Sequence, residues 1–318
     1  MTDFLKKLLL FGSISMVSLF ALDHMVTMGL KKSNAFVFEN LTRIHSHNLQ
    51  SDLIINGSSK ALVQFSTQII DSSLGTNSYN FGMNGANFEL QHTVYQLYRT
   101  NNSKPKAIVQ VVGDELLKYN QNLHEYKRFA PYLDDSLVVD LAKRLNGFKA
   151  YDYYIPFVRY SGFTDIIING LANYFGINLP SNKSNKYKGY IAYDKPWDYS
   201  FNKFVTTNPN GIDVAVDPRL ISLFEEYVSS SLKDRIKVIL VYPPSYFESQ
   251  KFINNRNQII EMYRSIANEY NIVFIDYSEH ELCKNKDYFY NSQHLNKKGA
   301  EYFSKLVAVD LDKALNKN

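Results

Sequence analysis

Hydrophobic and polar positions along the chain change rhythm twice. Residues 8–22 (LLLFGSISMVSLFAL) carry no charge. Counted from Phe4, the stretch is just long enough to cross a bilayer, since about 20 helical residues span its ~30 Å core. Residues 35–49 (AFVFENLTRIHSHNL) then read as a helical connector. From residue 51 onward, short apolar runs alternate with helical segments. Strands are predicted at 52–56 (DLIIN), 78–83 (SYNFGM), 106–112 (KAIVQVV), 237–242 (KVILVY) and 272–277 (IVFIDY). Helices are predicted at 60–72, 86–99, 250–270 and 297–315. Such alternation marks βαβ units, so we expect an α/β fold with a parallel sheet covered on both faces and right-handed crossovers.

The third and fourth strands are separated by far more chain than one crossover needs. Residues 127–148 and 151–176 look helical, whereas 178–216 are rich in Asn, Lys, Tyr, Gly and Pro with little periodicity. Asp217-Pro218 then places an N-cap before a proline at the first helical position. The segment 115–235 is therefore expected to be an insertion, a helical and loop lid over the C-terminal edge of the sheet. The layout is an anchor at 1–30, a connector at 31–50 and a main domain at 51–318.

Charge adds an address. Lys6 and Lys7 precede the apolar run, so the positive-inside bias leaves the N-terminus in the cytoplasm and the rest of the chain outside it. A cleaved signal peptide is the rival reading, but a cut after Ala21 puts Leu19 where a small residue belongs. Formal net charge over 318 residues is +4, with no basic block of the kind that binds nucleic acid. The lone cysteine, Cys283, forms no internal disulfide, redox pair or cysteine-rich zinc site. Tyr and Phe are abundant (24 and 21), which suits a large core or aromatic-lined grooves alike.

Candidate chemistry gathers at three turns. Gly57-Ser58-Ser59 ends the first strand and opens a helix, a position that exposes a serine beyond the sheet edge beside helix N-terminal amides. Residues 80–85 (NFGMNG) after the second strand offer glycines whose backbone can approach a ligand. Residues 291–300 (NSQHLNKKGA) bring His294 just before the last helix, where it can reach the serine as general base. Elsewhere plainer readings prevail. His45 and His47, two residues apart, do not share a helix face. Asp276 reads as a turn cap, and 151–163 (YDYYIPFVRYSGF) as core or lid packing.

Taken together, in this order on a five-strand frame, the three turns resemble the SGNH (GDSL-type) hydrolase superfamily. The resemblance runs from residue 52 to about 312 with the insertion between. It implies a three-layer αβα fold of flavodoxin-like type. It also implies Ser59 as nucleophile, the amides of Ser59 and Gly85 as oxyanion donors, and His294 as the catalytic histidine. The exported anchor and the HLNxxGAxxFS form look most like SGNH-like proteins of envelope polysaccharide and teichoic-acid modification, which include O-acyltransferase and D-alanyl transfer partners. Two departures stand out. Asn291 occupies the place of the family's aspartate, three residues before the histidine; its amide oxygen can accept from the ring but brings no charge. At residues 111–115 (VVGDE) the family's oxyanion asparagine is missing. The resemblance thus implies a serine acyltransferase or esterase acting on acyl esters of envelope polysaccharide. It would need no metal or diffusible cofactor, and its partners would be an acyl donor, the glycan and a membrane-bound O-acyltransferase. The alternative is a catalytically weak SGNH-type protein that binds glycan or scaffolds such an acyltransferase.

Overall fold

The computed structural model describes residues 2–177, 179 and 186–316. Residues 178 and 180–185 of the aperiodic stretch lie outside the described residues. In chain order, α1 (Thr2–Leu30) and α2 (Phe36–His45) precede β1 (Leu53–Asn56), α3 (Ser59–Gln64), α4 (Thr67–Leu74), β2 (Ser78–Asn80), α5 (Phe88–Asn101) and β3 (Ala107–Val111). The insertion contributes α6 (Ser136–Arg144), α7 (Ala150–Tyr154), α8 (Thr164–Tyr174), β4 (Lys186–Tyr187), β5 (Tyr190–Ile191), α9 (Ser200–Thr207) and α10 (Pro218–Lys233). Then come β6 (Lys237–Tyr242), α11 (Phe247–Gln250), α12 (Arg256–Glu269), β7 (Val273–Asp276), β8 (Phe289–Asn291), β9 (His294–Leu295) and α13 (Lys297–Asn316).

The chain divides into two compact units, residues 1–47 with 121–182 and residues 48–120 with 183–318. The second holds a five-stranded sheet in the order β2-β1-β3-β6-β7, every neighbouring pair parallel. This is the doubly wound α/β architecture expected from the sequence. Every residue of β1, β2 and β3 is buried, which explains why β1 and β3 read as mostly apolar runs rather than alternating ones. Because all five strands run one way, the turns after them open at one edge. The strand order reverses beside β1, the switch point at which such sheets leave a crevice.

The expected helix at 60–72 is two helices, α3 and α4, broken at Phe65-Ser66. Tertiary partners end it: Asn80 Nδ2 donates to the carbonyls of Ala61 (2.7 Å) and Phe65 (3.1 Å). Ser304 Oγ, from α13, accepts the Ser66 N–H at 2.8 Å and donates to the Gln64 carbonyl at 3.2 Å. Asp217 caps α10 as its sequence suggests, accepting the Arg219 N–H at 2.9 Å.

In the first unit, α1 is 29 residues long and apolar enough to cross a membrane, as an anchor or as a signal sequence. Its C-terminal part packs on α8. The two helices meet at glycines: a Cβ on Gly29 would lie 1.7 Å from the Gly170 carbonyl oxygen. Just after the charge-free run, Asp23 accepts from the Arg159 guanidinium (2.6 Å) and the Phe157 N–H (2.8 Å). The two long helices expected at 127–148 and 151–176 are broken. A 3-10 segment, Tyr126–Tyr132, carries Pro131. Asp135 then caps α6 through the Leu137 N–H. Residues 151–176 divide at Pro156 and Gly162 into α7, a 3-10 turn and α8.

Candidate active site

Asn56 ends β1, and Ser58 and Ser59 open α3 at the C-terminal edge of the sheet. The Ser59 amide sits in the first turn of α3, where N–H groups have no partner inside the helix. Its hydroxyl oxygen lies 2.7 Å from His294 Nε2, although 235 residues separate them. His294 is carried by the short β8–β9 hairpin, in which Asn291 pairs with it. Gln64 Nε2, from α3, donates to the Gln293 carbonyl at 3.0 Å and so ties the hairpin to the serine's own helix.

Asn291 orients the imidazole. Its Oδ1 accepts the backbone N–H groups of Gln293 (3.0 Å) and His294 (2.9 Å) and lies 2.9 Å from His294 Nδ1. Two backbone donors can face only an oxygen, so the side-chain amide is fixed with its oxygen toward the ring. The ring proton must then sit on Nδ1, which leaves Nε2 as the acceptor for the Ser59 hydroxyl. Such a row can serve as nucleophile, base and orienting group, the last being an uncharged amide.

Electrostatics keep the imidazole neutral. Burial is the largest influence, and the Lys60 ammonium adds to it; together they outweigh Asp198 and hold His294 down at about 4. The Tyr290 ring stacks on the imidazole, with centroids 5.5 Å apart and planes 8° from parallel. Lys60, next to the serine in sequence, donates to Ser245 Oγ at 2.7 Å. Burial lowers its own pKa, against the pull of Asp114. Asp114, from the turn after β3, accepts the Tyr242 hydroxyl.

A cavity of about 460 Å³ opens beside Ser59, with Gly85, Asn87, Gly113 and Asp114 in its wall. Gly85 has φ +63°, in the left-handed region that glycine adopts at no steric cost. Behind this wall runs a chain of buried amides. Asn56 Nδ2 donates to Gln110 Oε1 (3.0 Å), Gln110 Nε2 to Gln91 Oε1 (2.9 Å), and Gln91 Nε2 to the Ala86 carbonyl (2.9 Å). It fixes the Gly85-Ala86-Asn87 segment to β1, β3 and α5. Sequence reading missed it, although a glutamine inside the apolar run KAIVQVV was a visible signal. The structure therefore brings Ser59, His294 and Asn291 into one hydrogen-bonded row and sets Ser59 and Gly85 on one cavity.

Other candidates fall elsewhere. Asp276 accepts the Ser278 N–H at 2.9 Å and faces Arg264, in keeping with a turn cap. His45 stacks on Tyr132, with its ring nitrogens near the Leu41 carbonyl and Asp135.

No protein-family model matches the chain, and no curated protein matches it by sequence. Among solved structures it is similar to a Bacteroides fragilis protein provisionally named an acylhydrolase, at 11% identity and a TM-score of 0.40, over 83% of this chain and 88% of that one.

Proposed function

We propose that the protein is a membrane-anchored serine acyltransferase or esterase of SGNH type, with residues 31–318 outside the cytoplasm, acting on acyl esters of envelope polysaccharide. The observation that carries the chemistry is the row Ser59 Oγ–His294 Nε2, 2.7 Å, with Asn291 Oδ1 behind Nδ1. Ser59 Oγ attacks the acyl carbonyl carbon while its proton passes to Nε2. The carbonyl π pair moves onto oxygen and is met by the amides of Ser59 and Gly85. Collapse of the intermediate breaks the bond to the leaving oxygen, which takes the proton from Nε2. In the second half, a glycan hydroxyl or water gives its proton to Nε2 as its oxygen bonds to the acyl carbon, and the bond to Ser59 Oγ breaks as Oγ takes that proton back.

The address rests on α1 and on Lys6 and Lys7 before its apolar run; an export-dependent reporter fused after Asn318 should be active. The partner that supplies acyl groups would be a membrane-bound O-acyltransferase. The missing charge at Asn291 favours a second reading, a weakly catalytic protein that binds glycan. A simple acetyl ester and an acetylated glycan, assayed with wild type, Ser59→Ala and His294→Ala, separate the two. Acyl release lost in both variants supports the serine mechanism. Glycan binding by all three proteins without turnover supports the second reading.

A further inference from the structure

We propose that the side-chain amide of Asn87 is the third donor of the oxyanion hole, a catalytic residue for acyl esters in the cavity beside Ser59. The inference rests on the serine reading of that cavity. Asn87 stands two residues after Gly85 and caps α5, a helix of 14 residues, by accepting the Leu90 N–H on Oδ1 at 3.1 Å. That bond fixes which end of the amide faces the helix. The other end, Nδ2, is buried and has no hydrogen-bond partner among the described residues, in a residue only 7% exposed.

A buried donor without an acceptor carries a desolvation penalty, and native structures keep few such groups. Asn87 lines the same cavity as Ser59 and Gly85. Its neighbour Ala86 is held from behind by Gln91, so the segment cannot turn to find another partner without breaking the buried amide chain. The wall of the cavity thus contains a positioned, unspent N–H donor, in a residue that lines it together with Ser59 and Gly85. The ligand chemistry that uses all three is the oxygen of a tetrahedral acyl adduct. In the acylation step that oxygen gains the π electron pair of the carbonyl as Ser59 Oγ forms its bond to carbon. A preformed donor at that oxygen acts on the transition state more than on the neutral ester.

The test uses the full-length protein in detergent and two variants. Asn87→Ser keeps a capping oxygen and removes the amide donor. Asn87→Asp keeps shape and cap but turns an acceptor toward the oxyanion. Acetyl-ester turnover and the rate of labelling by a fluorophosphonate, whose phosphoryl oxygen takes the oxyanion's place, are measured beside melting temperature. We expect both variants to melt near wild type. Asn87→Ser should lose about 10²- to 10³-fold in kcat with KM little changed, slow labelling in parallel, and Asn87→Asp should lose more. Unchanged kcat and labelling in Asn87→Ser, with Ser59→Ala inactive, would overturn the assignment alone. Full activity in Ser59→Ala, or no labelling of wild type, would overturn the serine reading and this assignment with it.

Discussion

Replacing Asn291 by Asp supplies the charge that the Ser59–His294 row lacks and changes little else. A carboxylate retains the oxygen that accepts the two backbone N–H groups and faces Nδ1. A unit charge about 4 Å from the imidazolium charge is worth about 4 kcal/mol at an effective dielectric of 20. Part of that is lost in desolvating the carboxylate, which leaves about 3 kcal/mol, or roughly a hundredfold, on the step that forms the imidazolium. The same interaction should raise the His294 pKa from about 4 to about 6. The base is active only when neutral, so wild-type kcat/KM should fall on the acid side near pH 4 and that of Asn291→Asp near pH 6. Above pH 7 the variant should be about a hundredfold faster. In serine proteases the reverse exchange lowers turnover by ~10⁴ because it also favours the wrong imidazole tautomer. Here the backbone donors already fix the tautomer, so the gain is smaller. The assay is the pH profile of acetyl-ester hydrolysis from pH 3.5 to 9, with stability checked at each end. An acid limb near 6.5 in wild type would show that burial does not hold His294 neutral, and one that Asn291→Asp does not move would show that residue 291 does not act on the imidazole.

Other outcomes follow from the same geometry. Lys60→Met removes the ammonium that helps keep His294 neutral, so the acid limb should shift upward; a downward shift in the same pH profile would contradict this. His294 takes up a proton less readily in the fold than in the unfolded chain, where its pKa is about 6.5. Its stabilising contribution is therefore complete above about 6.5 and is lost as pH falls toward about 4, an expected decline of about 3 kcal/mol in denaturant titrations that His294→Gln should flatten. Gly29→Leu drives a side chain into the Gly170 carbonyl and should loosen α1 from α8, seen as faster proteolysis within 121–177.

β1, β3 and β6 were legible because strands buried on both faces select mostly apolar runs; β6 appears at the bounds its sequence suggests. The serine turn, the glycine turn and the histidine hairpin were legible for a related reason, since turn residues advertise themselves locally. What the sequence hid depends on partners far along the chain. Nothing within 60–72 announces that Asn80 and Ser304 will take the carbonyls and N–H of a continuing helix. The orientation of Asn291 was hidden as well, because it is set by backbone groups that face it only once the hairpin forms. Pro131 and Pro156 inside the expected insertion helices were signals in plain view, since an interior proline removes a donor and clashes with the preceding turn.

Whether Ser59 is a nucleophile activated by His294 is decided by intact-mass measurement and peptide mapping after reaction with a fluorophosphonate. A single phosphonyl adduct on Ser59 is expected, absent from Ser59→Ala and strongly slowed in His294→Ala. An unlabelled wild-type protein, or an adduct carried on another residue, would contradict it.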